Sequence, residues 1–161
     1  MKVILLGNAG AGKSTLSRKL REQSPAACLS LDEVAFAGGI TRRPLEESLA
    51  DVREFLSRHQ DWIVEGCYAD LIEPILPLCD ELLFLNPGPE VCEAHCRQRP
   101  WEPEKFATKR EQDEHLEALL NWVRAYEIRD DEYGLKRHRA IFDGFSGRKR
   151  ELNHPSQYGT V

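Results

Sequence analysis

The sequence contains no apolar run that approaches the ~20 residues a membrane-spanning helix needs, and it has no visible repeat or low-complexity segment. The apolar stretch at 1–6 is too short for a signal peptide, and no Ala-x-Ala-like cleavage site follows it. We therefore expect a cytoplasmic protein without a membrane partner. Basic residues are not in excess, since 22 Lys and Arg stand against 27 Asp and Glu, a net charge of −5. This balance argues against nucleic acid as a partner but leaves room for a local basic site.

Cysteine is sparse and shows no paired metal-binding spacing. The five cysteines are Cys28, Cys67, Cys79, Cys92 and Cys96, and an odd, scattered set is typical of reduced thiols in the cytosol. Cys92, His95 and Cys96 share one helical stretch, but a closed zinc site needs four ligands. We expect Cys92 and Cys96 to face the core of the protein instead. His115 and His138 lie in no motif and are expected on the surface.

The length of 161 residues and the hydrophobic fraction of 41% fit one globular domain spanning 1–161. Over the first ninety residues, short apolar runs alternate with amphipathic segments. Strands are predicted at 2–6, 27–31, 62–64 and 82–85, and helices at 13–23, 44–59, 68–78 and 90–99. This alternation is typical of a parallel sheet with helices on both faces.

The last third of the chain has a different pattern. Helices are predicted at 113–126 and 135–145, and residues 33–43 and 100–112 are predicted to be loops. A fifth strand falls either at 148–153 or at 140–145, and periodicity does not decide between them. The final residues, 154–161, are expected to form a loose tail.

The strongest motif is GNAGAGKS at 7–14, which matches G-x-x-x-x-G-K-[ST] at every fixed position. Glycines allow the backbone N–H groups of such a loop to turn toward an anion, and the following helix adds its N-terminal dipole. Lys13 is predicted to reach the β- and γ-phosphates of ATP, and Ser14 to hold Mg²⁺. Thr15 adds a second hydroxyl. The predicted nucleotide-binding residues are Gly7, Asn8, Ala9, Gly10, Ala11, Gly12, Lys13, Ser14 and Thr15.

The phosphate loop and the later segments LSLDEVAF, RRPLEE, WIVEGCY and ELLFLN together resemble the small P-loop kinases of the shikimate-kinase and adenylate-kinase-like group. Within it, the order of these pieces over 2–99 is most similar to the bacterial FlaR-like proteins linked to topology modulation. The resemblance implies an α/β three-layer P-loop NTPase sandwich, about five parallel strands in the order 2-3-1-4-5, and a short lid. It also implies ATP-dependent phosphoryl transfer to a small acceptor. A GTPase is disfavoured, because no N-K-x-D motif is present.

Polar residues that follow the second and third strands are candidates for acceptor binding, within a region of about 33–66. Asp32 lies where ligands bind in open α/β sheets and is predicted to accept the acceptor's proton or hold a magnesium water, although it could instead cap a helix. Glu65 is a candidate magnesium or acceptor ligand, or a surface carboxylate. Gly66 would allow close substrate approach. Arg42 and Arg43 would fork onto a carboxylate or phosphate of the acceptor, or form a solvated pair.

Arg97 and Arg99 precede a polar segment and are predicted to close on the transferred phosphoryl group as part of a lid at about 97–112. Cations that stabilise the end of a helix are the alternative interpretation. The sequence thus predicts a kinase that transfers the γ-phosphoryl group of MgATP. The alternative is an ATP-binding regulatory or nucleic-acid-associated protein without turnover of a small molecule. The acceptor stays open among nucleosides, nucleoside monophosphates, shikimate-like acids and sugars, and the oligomeric state is not predicted.

Overall fold

The computed structural model describes all 161 residues, and its centre is a single five-stranded sheet. The strands are β1 (Lys2–Gly7), β2 (Ala27–Ser30), β3 (Trp62–Gly66), β4 (Glu81–Leu85) and β5 (Arg148–Leu152). All neighbouring pairs are parallel, and the spatial order is β2-β3-β1-β4-β5. The predicted order is therefore confirmed. Of the two positions proposed for the last strand, the structure has the later one.

Seven α-helices connect and cover the strands. They are α1 (Lys13–Gln23), α2 (Asp32–Ala35), α3 (Leu45–Arg58), α4 (Ala69–Ile72), α5 (Pro89–Arg97), α6 (Lys109–Arg124) and α7 (Leu135–Gly144). Short 3-10 helices occupy Glu73–Leu78, Ala125–Glu127 and Pro155–Gly159. No helix combines the length and the apolar character needed to cross a membrane.

The core lies in two layers because side chains alternate between the faces of each strand. From β1, Ile4 and Leu6 enter a cluster of 19 buried residues that also includes side chains of α3, α4 and α7. Val3 and Leu5 enter a second cluster of 14 buried residues on the other face, with side chains of α1, α5 and α6. The central strands are buried on both faces, which explains their nearly continuous apolar sequences.

Two predicted loops contain helix. Helix α2 covers 32–35 and so includes the first three residues of the predicted loop 33–43. Helix α6 begins at Lys109, so the last four residues of the predicted lid belong to this helix. Thr108 caps it by accepting a hydrogen bond from the backbone N–H of Glu111 at 3.1 Å. The T-x-x-E spacing of these two residues is a helix-start signal that was present in the sequence.

The C-terminal tail is ordered, which contradicts the expectation of a loose end. His154 and Gln157 form a capping box that starts the 3-10 turn. Tyr158, in this turn, is 5% exposed and belongs to the same buried cluster as Leu16 of α1. The tail is held because this aromatic ring is buried against the phosphate loop.

Candidate active site

The loop between β1 and α1 has the backbone shape of a phosphate cradle. Gly10 and Gly12 adopt φ values of +77° and +98°, a left-handed region that side chains disfavour. A Cβ atom at Gly10 would also collide with the carbonyl of Cys92 and lie 2.8 Å from the Sγ of Cys96. Glycine is therefore required at this position both by the backbone angle and by the close packing of α5.

Three side chains tie the loop to the surrounding structure. The Nδ2 of Asn8 donates to the carbonyl of Val123 on α6 at 3.1 Å, and the Nδ1 of His95 lies 2.6 Å from the carbonyl of Gly10. The hydroxyl of Tyr158 donates to the carbonyl of Ala11 at 2.6 Å. Because a trans peptide is planar, holding the Ala11 carbonyl outward points the next N–H to the opposite side. The tail thereby orients one backbone donor of the cradle.

Lys13 and Ser14 are the first two residues of α1, directly after the loop. The Nζ of Lys13 donates to the carbonyls of Gly7 and Asn8 at 3.0 and 2.7 Å, so the ammonium lies across the loop. The hydroxyl of Ser14 donates to the Oε1 of Glu65 at 2.9 Å. Glu65 is only 7% exposed, and this carboxylate is thus directed toward the first turn of α1. A serine hydroxyl beside a carboxylate is an oxygen pair that suits Mg²⁺.

Asp32 stands at the start of α2, directly beyond β2, and is exposed. The hydroxyl of Tyr68 donates to its Oδ1. Burial, and then the charge of Asp32, raises the pKa of Tyr68, so this phenol stays protonated and acts as a donor. Burial raises the pKa of the Cys67 thiol to about 12. The positive charge of Lys13 opposes this rise, and the negative charge of Asp32 adds to it. The hydrogen bond from Tyr68 thus fixes the orientation of the Asp32 carboxylate.

Arg42 is surrounded by partners and is not free. Its Nη1 donates to the Tyr133 hydroxyl at 2.6 Å and to the Oε1 of Glu132 at 3.3 Å, and its Nη2 donates to the Oδ2 of Asp70 at 3.1 Å. The guanidinium carbon also lies 5.0 Å from the centroid of the Tyr68 ring. We call Asp32, Arg42, Tyr68, Asp70, Glu132 and Tyr133 the Arg42 cluster.

The other arginines on this side of the protein are also paired. Arg43 donates to Asp51 at 2.6 Å and to the carbonyl of Val34 at 3.0 Å. Arg129 makes two bonds to Asp131 through its Nε and one through its Nη2, at 2.8–3.0 Å, and its guanidinium carbon lies 4.4 Å from the Trp122 ring centroid. Carboxylates of the protein thus pair with both Arg42 and Arg43, and the binding of an acceptor's carboxylate or phosphate by these two arginines stays a prediction.

Arg97 and Arg99 differ from these paired residues. Arg97 ends α5 and is exposed, Arg99 is half-buried, and neither side chain has a carboxylate within salt-bridge distance. Arg99 lies close enough to Cys96 for its charge to oppose the rise in that thiol's pKa caused by burial. Both arginines are thus available near the helix that packs against Gly10.

The segment between α5 and α6 is short and held by its own hydrogen bonds. Gln112 donates from Nε2 to the carbonyl of Pro100 at 3.0 Å and accepts from the backbone N–H of Glu102 at 2.8 Å. The indole N–H of Trp101 donates to the carbonyl of Phe106 at 2.9 Å. Residues 98–108 are therefore the non-helical part of the predicted lid.

His138 is fully buried, contrary to the prediction of a surface position, whereas His115 is exposed as predicted. The ring bridges the carbonyl of Cys67, 2.9 Å from Nε2, and the hydroxyl of Tyr126, 2.7 Å from Nδ1. Burial lowers the pKa of His138 to about 4, so the ring is neutral at pH 7. Since a carbonyl only accepts, Nε2 carries the proton. The spacing of Leu135, His138 and Ile141 on one helical face was the available signal for this burial.

Close packing explains why glycine stands at 66 and cysteine at 92 and 96. A Cβ at Gly66 would lie 2.9 Å from the Cβ of Leu31, so the side chain of Leu31, the residue after β2, fills the space that a side chain at Gly66 would need. Cys92 and Cys96 are buried at 1% and 3% exposure, in the core as predicted. Burial raises the pKa of Cys92 to about 11, which leaves this thiol protonated at neutral pH.

Several residues of the site escaped prediction from the sequence. Tyr158 is 147 positions away from its partner Ala11, and Glu132 and Tyr133 are about 90 positions away from Arg42. Contacts over such separations leave no local pattern to read. Tyr68 and Asp70 follow β3 by a few residues, and the rule that ligands bind beyond the carboxyl ends of parallel strands pointed to their location.

Comparison with known proteins supports the fold and nothing finer. No protein-family model matches the chain, and no curated protein matches it. Among solved structures, the deoxyadenosine kinase of M. mycoides with bound dATP is similar, with a TM-score of 0.52 and 13% sequence identity over 95% of this chain and 91% of that one. The likeness, together with the sheet order and the phosphate loop, shows that this chain has the fold of P-loop kinases.

Proposed function

We propose that the protein is an ATP-dependent kinase that transfers the γ-phosphoryl group of MgATP to a hydroxyl of a small acceptor. The observation that carries the proposal is the cradle itself. Two left-handed glycines, the Lys13 ammonium and the Ser14–Glu65 pair converge on one loop at the start of α1. Backbone donors at a helix N-terminus bind phosphate oxygens, and a lysine at this position adds a positive charge beside the β- and γ-phosphates.

The side chains beside the loop fit a bound nucleotide. Lys13 would exchange the carbonyls of Gly7 and Asn8 for phosphate oxygens. Ser14 and Glu65 would hold Mg²⁺, directly or through water, and the ion would neutralise charge on the phosphates. Arg97 and Arg99 carry no competing carboxylate, so either can move toward the equatorial oxygens of the γ-phosphoryl group.

Asp32 is the proposed general base. The acceptor's hydroxyl oxygen forms a bond to the γ-phosphorus while the bond to the β–γ bridging oxygen breaks. The hydroxyl proton passes to the Asp32 carboxylate, and ADP leaves with the electron pair of the broken bond. Tyr68 occupies one oxygen of Asp32, which orients the carboxylate and leaves Oδ2 for the proton. The remaining rate enhancement comes from holding the reactants in line.

Substitution of the cradle lysine tests this function. We expect Lys13→Ala to abolish ADP formation with acceptors while far-ultraviolet circular dichroism stays unchanged. Lys19→Ala is the matched control, because Lys19 lies on the same helix but is exposed. Unchanged turnover in Lys13→Ala would refute the role of this residue.

Two further measurements separate the alternatives. Phosphate transfer across a panel of nucleosides, nucleoside monophosphates, sugars and shikimate-like acids, compared with slow ATP hydrolysis, distinguishes a kinase from a module that only binds nucleotide. DNA affinity as a function of salt tests a nucleic-acid-associated role, since phosphate contacts give a steep negative slope.

A further inference from the structure

The Arg42 cluster lies beyond the ends of β2 and β3, on the side of the sheet that also carries the phosphate loop. Asp32 follows β2, Tyr68 and Asp70 follow β3, and Glu65 of β3 bonds to Ser14 of the loop. A ligand that reaches the base Asp32 must therefore pass beside this cluster. Its charges decide which class of acceptor is admitted.

The protein itself uses three of the five N–H groups of the Arg42 guanidinium. Both Nη atoms donate to protein oxygens, and the rings of Tyr68 and Tyr133 have their centroids 5.0 and 5.8 Å from its central carbon. Bidentate recognition of a phosphate or carboxylate uses two parallel N–H groups of one arginine. The Nε–H and one of the two Nη2 N–H groups of Arg42 remain without a partner, and an anion held by them would lie beside the Asp70 carboxylate that the other Nη2 N–H already binds.

The unsatisfied atoms of the cluster are complementary to a hydroxyl. Besides the donor Nε of Arg42, the acceptor Oδ1 of Asp70, the other member of the same ion pair, is buried without a partner. Buried polar groups in native proteins are nearly always satisfied. A hydroxyl satisfies both, because it accepts one hydrogen bond and donates another. A phosphate oxygen would satisfy the N–H but would be repelled by the carboxylate.

The charge balance of the cluster points the same way. Asp70 and Glu132 pair with the single guanidinium of Arg42, the third carboxylate of the cluster, Asp32, bonds to Tyr68, and the neighbouring Arg129 is paired with Asp131. Arg97 and Arg99, at the end of the helix that packs on the phosphate loop and just beyond it, have no carboxylate partner. Unpaired positive charge is thus available for the nucleotide phosphates, whereas the arginine where the acceptor would bind is paired with carboxylates.

We propose that the acceptor of this enzyme is an uncharged, hydroxyl-bearing compound, and that the carboxylates around Arg42 exclude acceptors carrying a phosphate or carboxylate group. The inference rests on the proposed kinase function and specifies its second substrate. It excludes the nucleoside monophosphates and the shikimate-like acids, and it leaves nucleosides and sugars.

Matched pairs that differ by one phosphate group test the proposal. Binding to the MgADP-loaded protein is measured by calorimetry for adenosine and adenosine 5′-monophosphate, and for glucose and glucose 6-phosphate. Phosphoryl transfer from ATP is measured for the same compounds. In at least one pair, we expect the neutral member to bind at least 10-fold more tightly and to be the better substrate. Equal or tighter binding of the phosphorylated members overturns the proposal, and so does binding of none of the four compounds.

A double variant tests whether the carboxylates cause this preference. Asp70→Asn with Glu132→Gln removes the two negative charges that are paired with Arg42, and we expect the gap within a pair to shrink at least 5-fold. Asp113→Asn with Glu114→Gln removes the same charge from the exposed face of α6, where Lys109 and Arg110 are the partners, and should leave the gap unchanged. An unchanged gap in the first variant would overturn the assignment to Arg42.

Two controls keep the outcomes distinct. The single variant Glu132→Gln, which changes a partly exposed side chain, should reduce the gap by a smaller factor if the double variant does not fold. MgADP binding to the wild type and its weakening by Lys13→Ala are measured first. Failure of that measurement refutes the proposed kinase function, whereas failure of the matched pairs with MgADP bound refutes only the uncharged acceptor.

Discussion

Tyr158 offers the most direct test of how the tail supports the phosphate loop. Its ring lies against Gly12, where a Cβ atom would be 2.9 Å from the ring's Cε2, and its hydroxyl donates to the Ala11 carbonyl at 2.6 Å. Burial raises the pKa of Tyr158, so the phenol remains a donor throughout the neutral range. The substitution Tyr158→Phe removes this single hydrogen bond and keeps the packing of the ring.

The expected magnitude follows from the burial of the bond. Loss of a buried hydrogen bond between neutral groups costs about 1–1.5 kcal/mol. Because the bond holds the peptide that directs the Gly12 N–H into the cradle, we expect the cost to appear in nucleotide binding as well as in folding. A loss of about 1 kcal/mol weakens binding of ATP and ADP roughly 5-fold. Adenosine, which has no phosphate for the cradle, should bind equally to both proteins.

The assay is isothermal calorimetry with MgATP, MgADP and adenosine, combined with urea unfolding. Tyr126→Phe is the matched control, since Tyr126 is also buried and its hydroxyl bonds to His138 instead of the loop. We expect this control to lose a similar free energy of unfolding while its ATP affinity stays unchanged. Equal ATP affinity for wild type and Tyr158→Phe, or an equal loss in both variants, would refute the reasoning.

Three other predictions concern the core, the loop and the base. The pKa of His138 is about 4 in the folded protein and about 6.5 in the unfolded chain. The contribution of the neutral His138 ring to the free energy of unfolding is therefore fully present above pH 6.5, and roughly 2–3 kcal/mol of it is lost toward pH 4. Urea midpoints should fall with this slope in the wild type and with a flatter slope in His138→Gln. Gly10→Ala should destabilise the protein by more than ~2 kcal/mol, because it combines a left-handed φ with a collision against Cys92. The control Gly144→Ala, with open space around it, should shift the thermal midpoint by no more than a few degrees. Similar midpoints for the two variants would contradict the packing argument. Asp32→Asn should lower kcat about 10²–10⁴-fold at unchanged ATP affinity, and a normal kcat would exclude Asp32 as the base.

The central strands of the sheet were predictable because they are buried on both faces. Apolar runs at 2–6 and 82–85 lie within β1 and β4, and the P-loop resemblance supplied the strand order, which the structure confirms. Element ends were less predictable, as at α2 and at the start of α6, because a helix begins at a single residue and no repeating pattern marks it.

The sequence by itself determined the phosphate loop. The motif 7–14 encodes its own shape, since glycines permit the positive φ angles and the lysine and serine follow at fixed spacing. These requirements are local, so they can be read from eight consecutive residues.

Only the tertiary structure decided what surrounds that loop. Tyr158 in the tail supports Ala11, His138 is buried at the end of β3, and Arg42 is neutralised by carboxylates from distant segments. Whether an arginine is free or paired depends on which side chains the sheet and its crossovers bring within about 3 Å of it. Residues far apart in the chain supply those partners, and no local pattern specifies them.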